Sequence, residues 1–251
     1  MPITYLRNLT APERTQRANL HLGISLAFVA GATNAGGFLA VGQYTSHMTG
    51  MVSGMADNLA LGELDLMLGG FEAFLSFVLG AATSAVLINW SRRRNRRSEY
   101  ALPLLIEAGL LLVFGLMGGQ LSLRVTSEVS LTIALLCFVM GLQNALVTKV
   151  SNAEIRTTHV TGLTTDLGIE LGKLLYWNRT HHHPSAEKVV ANRRRLTIHL
   201  ALIVSFFVGG VIGALGFKHV GYVSTVPLAL VLAFMASLQF MPATAGQSAE
   251  R

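Results

Sequence analysis

The sequence predicts an all-α membrane protein: six transmembrane helices in two inverted three-helix repeats, each with a short re-entrant or interfacial helix. Three observations lead there. Of 251 residues, 51% are hydrophobic and 13% charged, whereas an ordinary soluble domain carries about 25% charged residues. Several apolar stretches reach roughly the 20-residue length that crosses the hydrocarbon core of a bilayer. Two polar motifs also occur twice at nearly constant spacing. The lone Cys137 excludes a disulfide scaffold, and the long apolar runs exclude disorder. The net charge of +6 lies between greasy segments, which suits the flanks of membrane helices better than a nucleic-acid surface.

Residues 1–19 form a basic polar segment with Arg7, Arg14 and Arg17. The apolar run Leu20–Val41 is too long for a signal-peptide core and lacks a small-residue cleavage site, so it reads as an uncleaved first span. Further spans are expected over Leu66–Trp90, Ala101–Leu121, Val129–Thr148, Leu196–Phe217 and Val220–Phe240. Two segments, Thr45–Leu61 and Thr157–Trp177, are apolar on one side but interrupted by His, Thr, Gly and acids. Parity decides whether they cross. The two most basic loops, Arg92–Arg97 and Arg179–Arg195, both belong on the cytoplasmic face by the positive-inside rule. That holds only if neither ambiguous segment crosses. Of the 19 basic residues, Arg124 and Lys218 alone then lie outside, both termini are cytoplasmic, and a polar tail covers 242–251.

The two ambiguous segments repeat one another. Gly31-Ala-Thr-Asn34-Ala35 precedes Thr45-Ser-His47-Met-Thr49-Gly50, and Gly141-Leu-Gln-Asn144-Ala145 precedes Thr157-Thr-His159-Val-Thr161-Gly162. The asparagines are 110 residues apart and the histidines 112. Each half, 20–121 and 129–241, has an odd number of spans, so the halves must insert in opposite orientations. Inverted repeats of this kind recur in secondary transporters, with sites at the repeat interface; the plainer reading is an old duplication that only supports packing.

Gly31–Gly50 together with Met140–Asn178, above all Arg156-Thr-Thr-His-Val-Thr-Gly-Leu-Thr-Thr-Asp-Leu-Gly168, resembles the YoaK family of bacterial inner-membrane proteins. Gly213–Gly221 resembles it too, so the likeness covers most of the chain. The resemblance implies a multi-pass protein of the bacterial inner membrane. The family is one of unknown function, so no substrate comes with it. One departure is Met51, where the family's first signature commonly continues from Thr-Gly to Asn.

Candidate site residues follow from the repeat. A substrate pathway is expected along Asn34, His47, Thr49, Asn144, His159, Thr161, Thr165 and Asp166. The asparagine amides lie inside spans and must find partners, helix-to-helix hydrogen bonding being the plainer use. The histidines serve as proton carriers, because imidazole titrates near neutral pH, or as hydrogen-bonding residues across the interface. Gly31, Gly36 and Gly37 are expected to let the first span bend or unwind. As a helix, Thr157–Trp177 has an apolar stripe at Val160, Leu163, Leu167, Leu171 and Leu174. His159 and Asp166 are expected in a hydroxyl-rich cavity, whereas Glu170 and Lys173 are expected to face headgroups. In the first half the matching stripe is His47, Gly50, Gly54 and Asn58.

Two acids lie within spans, where they are costly. Glu72 either reaches the interface or faces a cavity. Glu107, about two turns into its span, is with His159 the candidate for proton coupling. Gly115-x-x-x-Gly119 and Gly209-x-x-x-Gly213 permit close helix packing, within one chain rather than across a homo-oligomer seam, although an oligomer remains compatible. One cysteine and scattered histidines argue against a metal site, and no phosphate loop, nucleophile elbow or His-Glu-x-x-His motif calls for a cofactor or a known active site. The expected partners are the lipid bilayer and an unidentified small solute, with no nucleic acid. The leading expectation is a transporter or channel. The alternatives are an intramembrane enzyme using His159 and Asp166 on a lipid-soluble substrate, or a non-catalytic membrane subunit.

Overall fold

Wherever the structure describes them, the apolar stretches are helical. A computed structural model describes the backbone of residues 16–94, 99–121, 126–150, 160–176 and 188–237. The helices are α1 (Gln16–Val41), α2 (Met48–Leu61), α3 (Leu64–Arg93), α4 (Ala101–Leu121), α5 (Thr126–Val150), α6 (Val160–Leu175), α7 (Arg193–Val220) and α8 (Thr225–Ser237). Five stretches are long and apolar enough to cross a membrane: 20–41, 64–93, 101–118, 129–149 and 193–237. The last covers 45 residues, which as one helix would measure about 68 Å, far beyond a bilayer core. It is broken at Gly221, whose φ of 71° ends α7, and a 3-10 turn over Gly221–Ser224 leads into α8. Six spans were expected; the structure has five apolar stretches, the fifth made of two helices.

Helix directions follow from residue pairs. Ser205 Oγ donates to the Ile24 carbonyl at 2.7 Å. A Cβ on Gly209 would strike the Phe28 carbonyl, one on Gly213 the Ala32 backbone, and one on Gly36 the Phe217 ring. The partners climb together by four, so α1 and α7 run parallel. Between α1 and α5 the order reverses. Gln143 Nε2 approaches the Leu26 carbonyl at 3.5 Å, while a Cβ on Gly37 would meet Leu136; these two helices are antiparallel. α8 turns back along α4, with Gly115 against Thr225 and Gly118 under the Tyr222 ring. Leu104, Leu111, Leu228 and Leu232 share the main core cluster.

The close crossings are made by Phe-x-x-Gly pairs. On α1 and α7, Cβ atoms at Gly31 and Gly209 would overlap the carbonyls of Phe206 and Phe28. On α3 and α5, those at Gly80 and Gly141 would overlap the carbonyls of Phe138 and Phe77. Each glycine admits the partner's backbone, the small-residue device that membrane helices use when no hydrophobic force separates lipid from protein. The expected unwinding of the first span at Gly31, Gly36 and Gly37 is corrected here. α1 is one unbroken helix over this stretch, and Gly31 and Gly36 are contact points for α7. Gly209 and Gly213 are likewise packed within the chain, as are Gly115 and Gly118.

Candidate functional site

α1 ends at Gly42, which adopts φ 71° and donates its N–H to the Phe38 carbonyl at 2.8 Å. The chain then turns back alongside its own helix. Ser46 Oγ and Ser46 N donate to Asn34 Oδ1 at 3.0 and 3.3 Å. Asn34 lies seven residues before Val41, about 10 Å back along the helix axis. The loop therefore dips to the level of Asn34 before α2 begins at Met48. α2 runs back toward the end of α1 and closes on Gly62, at φ 79°. Glu63 N donates to the Asn58 carbonyl at 2.8 Å and Gly62 N to the Leu59 carbonyl at 3.2 Å, the paired bonds of a left-handed helix end that only glycine adopts without strain. α3 starts at once and runs antiparallel to α2, so Gly70 lies against Met55. Residues 42–64 thus comprise a loop held against Asn34 and a helical hairpin turning at Gly62.

A groove of about 690 Å³ opens between α2, the first turns of α3 and the start of α5. The expected first-half stripe, His47, Gly50, Gly54 and Asn58, faces into it. Asp65 and Glu72 face in from α3, and Ser130, Ile133 and Ala134 from α5. Glu72 thus lines the groove from an exposed position on α3. The His47 ring covers Gly50, where a Cβ would strike it. Phe38 and Tyr44 stack at 4.4 Å between centroids and 21° between planes on the wall. Asn34, 8% exposed, holds the loop from behind the groove, and Thr49 is exposed on α2.

The second half is arranged differently where it is described. His159, with Thr157 and Thr158, lies outside the described residues. Thr161, Thr165 and Asp166 are exposed on α6, with Thr165 Oγ1 donating to the Thr161 carbonyl at 2.9 Å. These three residues do not line the groove at His47, and Asp166 lies on an exposed face of α6. Asn144 is buried, and its carbonyl accepts Thr148 Oγ1 at 2.8 Å. Leu163 alone of the expected stripe is fully buried; Val160 and Leu167 are half-buried, and Leu171 and Leu174 are exposed.

Glu170 overturns its expectation. Only 4% exposed, it turns inward rather than toward headgroups. Its Oε1 accepts Lys173 Nζ at 2.8 Å and its Oε2 accepts Asn192 N at 2.6 Å. The Lys173 hydrogen bond first, then the Asn192 amide, hold its carboxyl below the usual carboxylate range. Asn192 in turn caps α7, its Oδ1 accepting Arg195 N at 3.1 Å. Glu170 is thus the link between α6 and the start of α7.

Glu107 is 1% exposed on α4 beside Leu104, Ala108 and Leu111, and its Oε2 has no hydrogen-bond partner among the described residues. Groups of three or more His, Cys, Asp or Glu able to hold a metal do not occur among the described residues.

With this geometry in place, residues 22–238 match a family described as "Protein of unknown function (DUF1275)". The chain belongs to the DUF1275 family. Comparison with curated proteins and with solved structures gave no significant match. This DUF1275 chain is a multi-pass membrane protein, and its exposed apolar helices, with Phe207, Leu230 and Leu116 facing outward, are consistent with a lipid surround.

The Phe-x-x-Gly motifs were missed in the sequence, although their signal was present. Phe28-x-x-Gly31 and Phe138-x-x-Gly141 are separated by the same 110 residues as Asn34 and Asn144. Asp65 was missed as well; only the hairpin at Gly62 turns it toward the stripe on α2.

Proposed function

We propose that this DUF1275 protein is a small transporter or channel built from two inverted halves, with its solute pathway entering through the His47 groove. The observation that carries this reading is the dip at Asn34–Ser46. It brings the irregular backbone segment before His47 about a quarter of the way back along α1, the kind of arrangement that lines a pathway in transporter folds. The antiparallel crossing of α1 with α5, helices that start equivalent halves, supports inversion. So does the exchange of Phe-x-x-Gly contacts, α1 with α7 and α5 with α3. The positive-inside distribution of arginines supports cytoplasmic termini, and the resemblance to YoaK proteins supports the bacterial inner membrane.

In this reading Asn34 shapes the loop and His47 faces the solute, with Thr49 beside it. Asn144, His159, Thr161, Thr165 and Asp166 form the corresponding second-half path, and Glu107 couples protons with His159. Purified protein in liposomes is expected to pass small solutes from a mixed pool. His47→Ala is expected to lower that flux by about tenfold or more with an unchanged unfolding transition in detergent. Wild-type flux in His47→Ala, or no flux of any solute by the native protein, contradicts the reading.

A further inference from the structure

The charge and shape of the His47 groove identify the kind of ligand it takes. From residue 18 to residue 91 the chain has no lysine or arginine, and it carries four carboxylates, Asp57, Glu63, Asp65 and Glu72. Asp65 and Glu72 face the groove, no lysine or arginine lines it, and His47 is the one basic side chain on its wall. Seven residues apart on one helix, they lie two turns, or about 10 Å, from one another on the same face. A groove walled by carboxylates of one sign concentrates counter-ions of the other sign.

A bare metal ion is a poor match. Metals take converging ligands at short range, and no such group occurs among the described residues. The rest of the lining is apolar or aromatic: Met51, Met55, Leu66, Ile133 and the stacked Phe38–Tyr44 pair. Aromatic faces attract cations through the ring quadrupole. A volume of about 690 Å³ lies in the range of small-molecule sites. Room is made by glycines. A Cβ at Gly54 or Gly69 would meet nothing within 4 Å, so the groove floor is open there rather than packed by neighbours.

We propose that this groove binds a soluble organic cation, an amine or quaternary ammonium with an apolar body. The cationic centre pairs with Glu72, Asp65 adds to the negative field two turns away, and the apolar body lies against Phe38, Tyr44 and the methionines. This rests on reading the same groove as the solute entrance, and it adds the sign and chemical class of the solute.

The test uses two probes of matched size and opposite charge, tetraphenylphosphonium and tetraphenylborate, titrated into the purified full-length protein in a neutral sugar detergent. Saturable binding of the cation and not of the anion is expected. Glu72→Gln, at an exposed position, is expected to weaken the cation about tenfold, the effect of removing one partly solvated charge partner. Gly69→Leu puts an apolar side chain on the groove lining at a position where a Cβ meets nothing within 4 Å, and is expected to abolish binding while the unfolding transition stays at or above that of the native protein. Equal binding of both probes, no saturable cation binding, or native affinity in both variants overturns the inference. Because no sealed compartment is needed, the outcome is separable from transport. Flux of a neutral or anionic solute with no cation binding sinks the inference alone, whereas cation binding without any flux sinks the transport reading alone.

Discussion

Asn34 carries the loop that makes the groove. Its Oδ1 accepts two bonds from Ser46 in a partly buried place, and removing it strands both donors. Asn34→Ala is expected to destabilise the protein by about 1–3 kcal/mol in detergent unfolding and to lower binding at the groove. The glycines divide sharply by what surrounds them. Gly31→Ala drives a methyl group onto the Phe206 carbonyl and is expected to cost about 1–3 kcal/mol, as overpacking does. Gly54→Ala meets open space and is expected to stabilise α2 by about 0.5–1 kcal/mol, the helix propensity gained. The same thermal or denaturant transition reads both, and reversed signs would refute the packing described. Glu170 sets a pH response. Its carboxyl lies below the usual range in the folded protein, so its stabilising effect is complete above the unfolded value of about 4.3 and is lost as pH falls through the lower folded value. The unfolding midpoint of the native protein is therefore expected to fall on acidification below about 4.3, and Glu170→Gln to flatten that fall. An identical acid profile in the variant would dissociate Glu170 from the effect.

At the scale of elements, the α2–α3 hairpin positions the groove and Gly62 fixes the hairpin. With φ at 79°, a side chain there is strained by about 1–2 kcal/mol. Gly62→Val is expected to lower the unfolding midpoint and, by splaying α2 from Asp65 and Glu72, to weaken any groove ligand; Gly42→Val disturbs the loop on the other side of the dip. Element positions were legible because apolar length and basic flanks are strong signals: Ala101–Leu121 is reproduced as α4, and Leu66–Trp90 lies inside α3. The direction in which a charged residue faces was not legible. Glu170 and Lys173 sit at helical spacing on an amphipathic segment, which reads as a solvated face. The inward turn of Glu170 depends on the amide of Asn192, 22 residues away, and no local pattern carries that. Asp166, in a hydroxyl-rich stretch of sequence, lies on an exposed face of α6.

For the whole molecule, the sequence repeat and the spatial pairing meet in one relation. Asn34 and Asn144 mark the duplication, and the Phe-x-x-Gly contacts link each half to the other: the first helix of one packs against the long helix following the motif in its counterpart. The glycines of α1 and α7 were read singly, as bends or generic packing, because their partners are identified only by the three-dimensional crossing. The candidate site was half legible. His47, Gly50, Gly54 and Asn58 form its stripe as expected, while the acids opposite them needed the hairpin to bring them near. Both the groove and the proposed pathway depend on a segment that enters the bilayer and leaves by the side it came from, in a half inverted relative to the other. Single cysteines at Gln43, Leu61 and Tyr176, placed in a Cys137→Ser background and probed in sealed membranes with an impermeant thiol reagent, test this most directly. The account predicts labelling of Gln43→Cys and Leu61→Cys from one side and of Tyr176→Cys from the other; Gln43→Cys and Leu61→Cys on opposite sides, or Leu61→Cys and Tyr176→Cys on the same side, would contradict it.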